Sequence, residues 1–243
     1  VSIEWTAPAI VLEARPHGEG GAVVSVFTEE HGRHAGLVRG GTSRAQVALW
    51  QAGNLIEARW VARLPDQLGT LTGELVHPAA SLAMEDALAL AALRSATAIA
   101  AAALPEREAH ARLFRGLVAF IATLARDPHL AIADLVSWEA DLLTDLGYGL
   151  DLARCAVTGS ADDLHFVSPR SGRAVSVAGA GEWSDRLLPL PAFLLGQGPS
   201  TPADWAAGLR LTGHFLARDV FGARHQGVPA PRDLLLDRVA AMG

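Results

Sequence analysis

Arginine is the residue type whose placement in this chain carries the most chemistry. Arg33, Arg39, Arg44, Arg59 and Arg63 fall within residues 31–63 against a single acid, Glu57. The local balance is +4, in a chain of 243 residues whose formal net charge is −6. A guanidinium is a permanent cation with a planar fork of donors that matches phosphate oxygens. The run also holds the turn Gly40-Gly41-Thr42-Ser43-Arg44, whose amides and hydroxyls suit a phosphate. Trp50 is the aromatic in the run best suited to stack on a base. Two readings stay open on these residues alone. One is a face that neutralises nucleic-acid phosphates. The other is an arginine-rich solvated face balanced by acids elsewhere.

A second basic stripe is spaced as on one helix face: Arg210, His214 and Arg218, at i, i+4 and i+8. It suits an acidic peptide tail or plain solvent. Other constellations carry less. His31-Gly32-Arg33-His34 has ligand-like spacing but lacks the third and fourth partners a zinc site needs, so no metal is expected. Gly18-Glu19-Gly20-Gly21 leads into a strand-like run, not the helix a dinucleotide loop requires. Cys155 is the one cysteine, which rules out an intrachain disulfide and leaves a small buried structural residue as the simplest role. Every cation of the Lys/Arg class is arginine, which excludes Schiff-base lysines and a phosphate-loop lysine. No hydrolase signature appears, and the acidic pairs Glu85-Asp86 and Asp162-Asp163 are adjacent, so they diverge and read as solvated surface. No cofactor is called for, and the chain is not expected to be an enzyme.

The elements that must position these residues follow from texture. Residues 1–77 carry five short β-rich runs, 9–14, 22–28, 35–39, 54–64 and 70–76, cut by Gly, Pro and Asn. In the fourth, Ile56, Ala58, Trp60, Ala62 and Leu64 alternate with Arg59 and Arg63, so the tryptophan faces the core and the arginines face out. A small barrel or sandwich results. Residues 78–243 read as a helical domain, with helices near 81–103, 106–126 and 130–147 punctuated by Pro105 and Pro128. An irregular insertion at 151–182 contains a hairpin, 164–167 paired with 174–177. Thr201-Pro202-Ala203-Asp204 opens a helix to about Phe221, and a shorter one follows Pro231. The apolar tract 82–104 is broken by Glu85, Asp86 and Arg94, so no membrane span is expected. Residues 1–12 lack a basic start and carry Glu4, which leads to the expectation of a cytoplasmic protein.

Ordered motifs along the chain resemble a known family. Ile10-Val11-Leu12-Glu13-Ala14-Arg15, Gly18-Glu19, Val26-Phe27-Thr28-Glu29-Glu30-His31-Gly32 and Leu37-Val38-Arg39-Gly40-Gly41 resemble the opening of RecO, the bacterial recombination mediator. Trp138-Glu139-Ala140-Asp141-Leu142-Leu143, Leu146-Gly147-Tyr148-Gly149 and Cys155 are similar to that family's central block, and Arg232-Asp233-Leu234-Leu235 to its C-terminal one. The resemblance implies an α+β protein: an N-terminal OB-fold barrel, then a helical domain with a zinc-ribbon-like hairpin. It implies a nucleoid-associated DNA repair and recombination mediator that binds single- and double-stranded DNA and anneals complementary strands. Implied partners are RecR, the acidic C-terminal tail of the single-strand binding protein and, indirectly, RecA. Two departures stand out. Family members often carry four zinc-ligand cysteines where this chain keeps Cys155, so the hairpin must be held without zinc. An arginine common before the aromatic-Glu pair is replaced here by Val136-Ser137, which leaves Arg210, His214 and Arg218 as the substitute tail site. The competing reading is an adaptor whose partner holds the DNA.

Overall fold

The structure, a computed structural model, describes residues 2–64, 66–198 and 200–243. The elements in chain order are β1 (Ile3–His17), β2 (Gly21–Thr28), β3 (Gly32–Val38), α1 (Arg44–Leu49), β4 (Leu55–Ala62) and β5 (Thr70–His77). Then come α2 (Ala79–Ala83), α3 (Ala87–Ala103), α4 (Ala111–Leu124) and α5 (Pro128–Asp145). The chain continues through β6 (Leu164–Val167), β7 (Ala174–Ser176), α6 (Val177–Ala180), β8 (Leu188–Pro189), α7 (Pro202–Phe215) and α8 (Ala230–Ala240). The protein is a mixed α+β chain, with strands first and helices dominating the remainder.

Strands β1 to β5 close into a barrel in the order β1-β2-β3-β5-β4. The long β1 makes closure possible: Ile3–Ile10 pair with β4 and Ala9–His17 pair with β2, with a register shift between Val11 and Glu13. Pro8 lies where β1 is laddered on one side only, so its missing N–H costs no second ladder bond. Alternating residues fill the interior, among them Val11, Val24, Val26, Ile56, Ala58, Trp60 and Leu71. Trp60 is 2% exposed, and its indole N–H donates to the carbonyls of Ala35 (3.2 Å) and Leu68 (2.9 Å). Gly36 and Gly69 make room for it. A Cβ at Gly69 would lie 2.6 Å from the indole, at a φ of +68° that an L side chain rarely adopts. Leu64, expected inside, falls beyond the end of β4 and is exposed.

The chain separates into two compact units, divided after Pro128. Helices α3 and α4 belong with the barrel because β1 and β2 bury apolar residues on their outer side as well. Ile10 and Phe27 are fully buried, and Phe27 meets Phe114 of α4 edge to face at 5.6 Å. The helix expected over 81–103 is interrupted. Asp86, read from sequence as solvated surface, caps α3 by accepting the N–H groups of Leu88 (2.7 Å) and Ala89 (2.8 Å). The helix expected from 106 starts at Ala111, because the preceding segment follows β3: the Arg107 N–H donates to the Arg33 carbonyl at 2.8 Å.

In the second unit α7 starts as its sequence requires. The Thr201 hydroxyl accepts the Asp204 N–H and the Asp204 carboxylate accepts the Thr201 N–H, a closed capping box. The helix widens into a π turn over Leu216–Phe221. A fully buried ion pair ties three helices. Arg232 of α8 grips Glu139 of α5 with two nitrogens, Nε–Oε1 2.6 Å and Nη2–Oε2 3.0 Å. The Thr212 hydroxyl of α7 donates to the same carboxylate, and Arg232 also donates to the Leu209 carbonyl.

The hairpin forms as β6 and β7, joined by the short β8 in the order β7-β6-β8. Cys155, Thr158, Ser176 and Gly179 come together here. The Cys155 sulfur accepts the N–H groups of Val157 (3.4 Å), Thr158 (3.4 Å) and Ser176 (3.2 Å) and the Ser176 hydroxyl (3.3 Å). A Cβ at Gly179 would sit 2.8 Å from that sulfur, so no fourth side chain fits. One thiol, two hydroxyls and a glycine do not suit zinc. Burial pushes the thiol up, but the Ser176 hydroxyl and N–H and the Thr158 contacts outweigh it and bring it to about 6. A thiolate favoured in the fold stabilises fully above the ordinary value of 9.0 and loses that contribution as pH falls toward about 6. The stability difference between the native chain and Cys155→Ala, read by thermal unfolding, should therefore grow from pH 6 to pH 9. A difference independent of pH would remove the thiolate from the account.

Candidate nucleic-acid interface

The outward positions of β3, β5, β4 and β1 form one continuous surface. Leu37 pairs with Thr70, Thr72 with Arg59, and Arg59 with Thr6. Two adjoining grooves cross it. Val38, Arg39, Gln46, Thr70, Thr72 and Gly73 line the first. Thr6, Glu57, Arg59, Thr72, Gly73 and Glu74 line the second. Thr72 and Gly73 belong to both, so Arg39 and Arg59 flank a shared floor. Strand spacing of about 4.8 Å across β3-β5-β4 puts their backbones about 10 Å apart. Gly73 lets the floor lie on Trp50, since a Cβ there would meet the indole at 2.9 Å.

Trp50 itself does not face out. It is 2% exposed, and its indole N–H donates to Gln46 Oε1 at 2.7 Å. It therefore supports the groove and is not available to stack on a base. That bond orients the Gln46 amide, whose NH2 remains the group able to donate to a ligand.

The five arginines fare differently. Arg39 and Arg44 are exposed at either end of the turn 40–43, where Gly40 adopts a φ of +66°. Two amides of that turn are already used, Thr42 N–H to the Gly20 carbonyl (3.3 Å) and Ser43 N–H to the Gly40 carbonyl (3.0 Å), so its anion-binding capacity rests on hydroxyls and arginines. Arg59 is exposed and meets Glu4 at 2.7 Å, a solvated pair worth about 0–1 kcal/mol and readily exchanged for a phosphate. Arg63 is exposed just past β4. It continues β4 away from Arg39, so the two lie about 13 Å apart along the strand direction. Among the described residues none of Arg39, Arg44 and Arg63 pairs with an acid.

Arg33 does not join them. Its Nε donates to the Leu104 carbonyl at 2.8 Å and its Nη1 meets Glu106 at 3.2 Å, which fastens β3 to the segment after α3. The fold also adds acids to the face. Glu74 from β5 pairs with Glu57, and Glu4 from β1 meets Arg59, where residues 31–63 alone showed one carboxylate.

Most of the remaining sequence candidates make contacts within the fold. His214 Nε2 lies 3.0 Å from the Pro169 carbonyl, while Arg218 donates to the Pro169 and Arg170 carbonyls and pairs with Asp219 at 2.7 Å. Two of the three stripe residues thus hold the hairpin turn against α7, and Arg210 alone of the three stays exposed without such a contact among the described residues. His34 is buried edge-on against Trp5 and Trp60, and burial pushes it below its ordinary value of 6.5. His31 stacks on Trp5 at 4.6 Å. Among the described residues no group of three or more His, Cys, Asp or Glu can hold a metal ion. No described helix is long and apolar enough to cross a membrane.

Comparison with known proteins decides the family. The model for the N-terminal part of recombination protein O matches residues 2–79, and that for its C-terminal part matches residues 84–226. The chain belongs to the RecO family. DNA repair protein RecO of Granulibacter bethesdensis is 57% identical over 99% of this chain and 97% of its own length. RecO of Gluconacetobacter diazotrophicus is 56% identical over 99% of this chain and 96% of its own. RecO of Acidiphilium cryptum is 55% identical over 98% and 96% respectively. The two RecO models meet near residue 80, whereas the compact units divide after Pro128, because α2 to α4 pack as part of the barrel unit.

Proposed function

We propose that this RecO-family chain is a DNA repair and recombination mediator that binds single- and double-stranded DNA on its barrel and anneals complementary strands. The observation that carries the reading is the groove pair joined at Thr72 and Gly73 and flanked by Arg39 and Arg59. The strand order β1-β2-β3-β5-β4, with α1 between β3 and β4, fits an OB-fold, a barrel suited to oligonucleotides. No bond chemistry is required. Neutralised phosphates let two strands approach while their bases stay accessible to each other. In this reading the protein works in the cytoplasm, on the nucleoid. It acts with RecR to help RecA replace the single-strand binding protein, whose acidic tail it meets, with Arg210 the cation of the stripe not engaged within the fold among the described residues.

A specific observation supports the second reading, an adaptor whose partner holds the DNA. Glu4, Glu57 and Glu74 interleave with the arginines on the same face, a pattern that also suits a protein of mixed charge. Annealing separates the two. The isolated chain, mixed with complementary labelled oligonucleotides at 50 mM salt, should speed duplex formation above the uncatalysed rate. Acceleration that appears only after RecR is added would favour the adaptor.

A further inference from the structure

Among the described residues Trp183 is the tryptophan that stands in solvent. It is 61% exposed, whereas Trp50, Trp60, Trp138 and Trp205 are buried and Trp5 is half-buried. It lies on the 3-10 turn Gly181–Arg186 that follows α6, in the hairpin module of the second unit. One face of the indole is covered by Arg186, whose guanidinium carbon is 4.7 Å from the ring centroid. Glu182 and Asp185 beside it are exposed as well. A large aromatic left in water forfeits apolar burial that a folded chain normally takes. Here it is held in place by a cation that leaves the ring's other face for a ligand.

We propose that Trp183, backed by Arg186, is a second single-strand contact on which an unpaired base stacks. The inference rests on the DNA-binding reading above and extends it to the other unit. A π-face accepts any base, so the contact is indifferent to sequence. The acids Glu182 and Asp185 outnumber Arg186 and leave the turn at −1, so the site adds stacking and no phosphate neutralisation. Its contribution therefore persists at salt concentrations that weaken the barrel face. Duplex DNA, with its bases already stacked on each other, gains little from it.

The test uses the full chain and an oligo-dT probe. Acrylamide quenching of tryptophan emission should fall when oligo-dT saturates the protein, since the exposed indole becomes covered. Trp183→Ala should bind oligo-dT about fivefold or more weakly at 200 mM salt, with the salt slope unchanged, and Trp183→Phe should stay within about twofold of the native chain. Duplex affinity should hold in both variants. Native oligo-dT affinity in Trp183→Ala, or quenching unchanged at saturation, would overturn the platform while leaving the barrel interface standing. Shielding of Trp183 by an acidic peptide and not by oligo-dT would overturn it too. A native chain that fails to bind oligo-dT at 50 mM salt would remove both proposals together.

Discussion

Replacing Arg232 with methionine should destabilise the second unit by about 3–5 kcal/mol. The methionine leaves Glu139 fully buried with its strongest partner gone, while Thr212 supplies only one hydroxyl bond. Charging a carboxylate in that setting costs far more than the missing hydrogen bonds themselves. The reciprocal change, Glu139→Leu, should be similarly harmful, because the guanidinium then keeps only the Leu209 carbonyl and the Thr212 oxygen. The double change removes both charges and should recover much of the stability, since an apolar replacement of a buried pair is often near neutral. Denaturant unfolding of the single and double variants checks this. Additive effects would show that Glu139 and Arg232 do not act as a pair.

The second large effect concerns DNA. Changing Arg39, Arg44 and Arg59 together to alanine should lower affinity for single strands on the order of a hundredfold, at about 1 kcal/mol for each arginine–phosphate hydrogen bond removed. The dependence of log K on log salt should flatten from about −3 to about −1, because Arg63 would be the one phosphate-binding arginine left. Arg33→Ala should behave otherwise. It removes a bond to the Leu104 carbonyl and a pair with Glu106, so it should cost about 1 kcal/mol of stability and leave the salt slope intact.

Local patterns are the part of this fold that its sequence makes legible. The alternation in residues 55–62 assigns Trp60 to the core and Arg59 to the surface, because a strand's period of two depends on nothing outside it. Thr201 and Asp204 announce their capping box for the same reason: both partners lie within one turn. What stays hidden is set by distance along the chain. Arg33 resembles its four neighbours in sequence, and only folding brings Leu104 and Glu106 to it. Glu4 and Glu74 lie outside the basic run yet flank its arginines, because β1 and β5 border β4 on either side. Glu139 and Arg232 sit in separate motifs, and their pairing across 93 residues has no local signal. Asp86 is masked by the alanine-rich run around it, which reads as one helix until the cap is seen. Trp183 has no periodicity to mark it, and only its exposure separates it from the five other tryptophans.

The most direct test of the DNA-binding barrel is a salt titration of oligo-dT binding by the isolated chain. Four available arginines, Arg39, Arg44, Arg59 and Arg63, lead to a slope of about −3 and a fall in affinity of about fiftyfold between 50 and 200 mM salt. No binding at 50 mM salt, or a slope near zero, would contradict it.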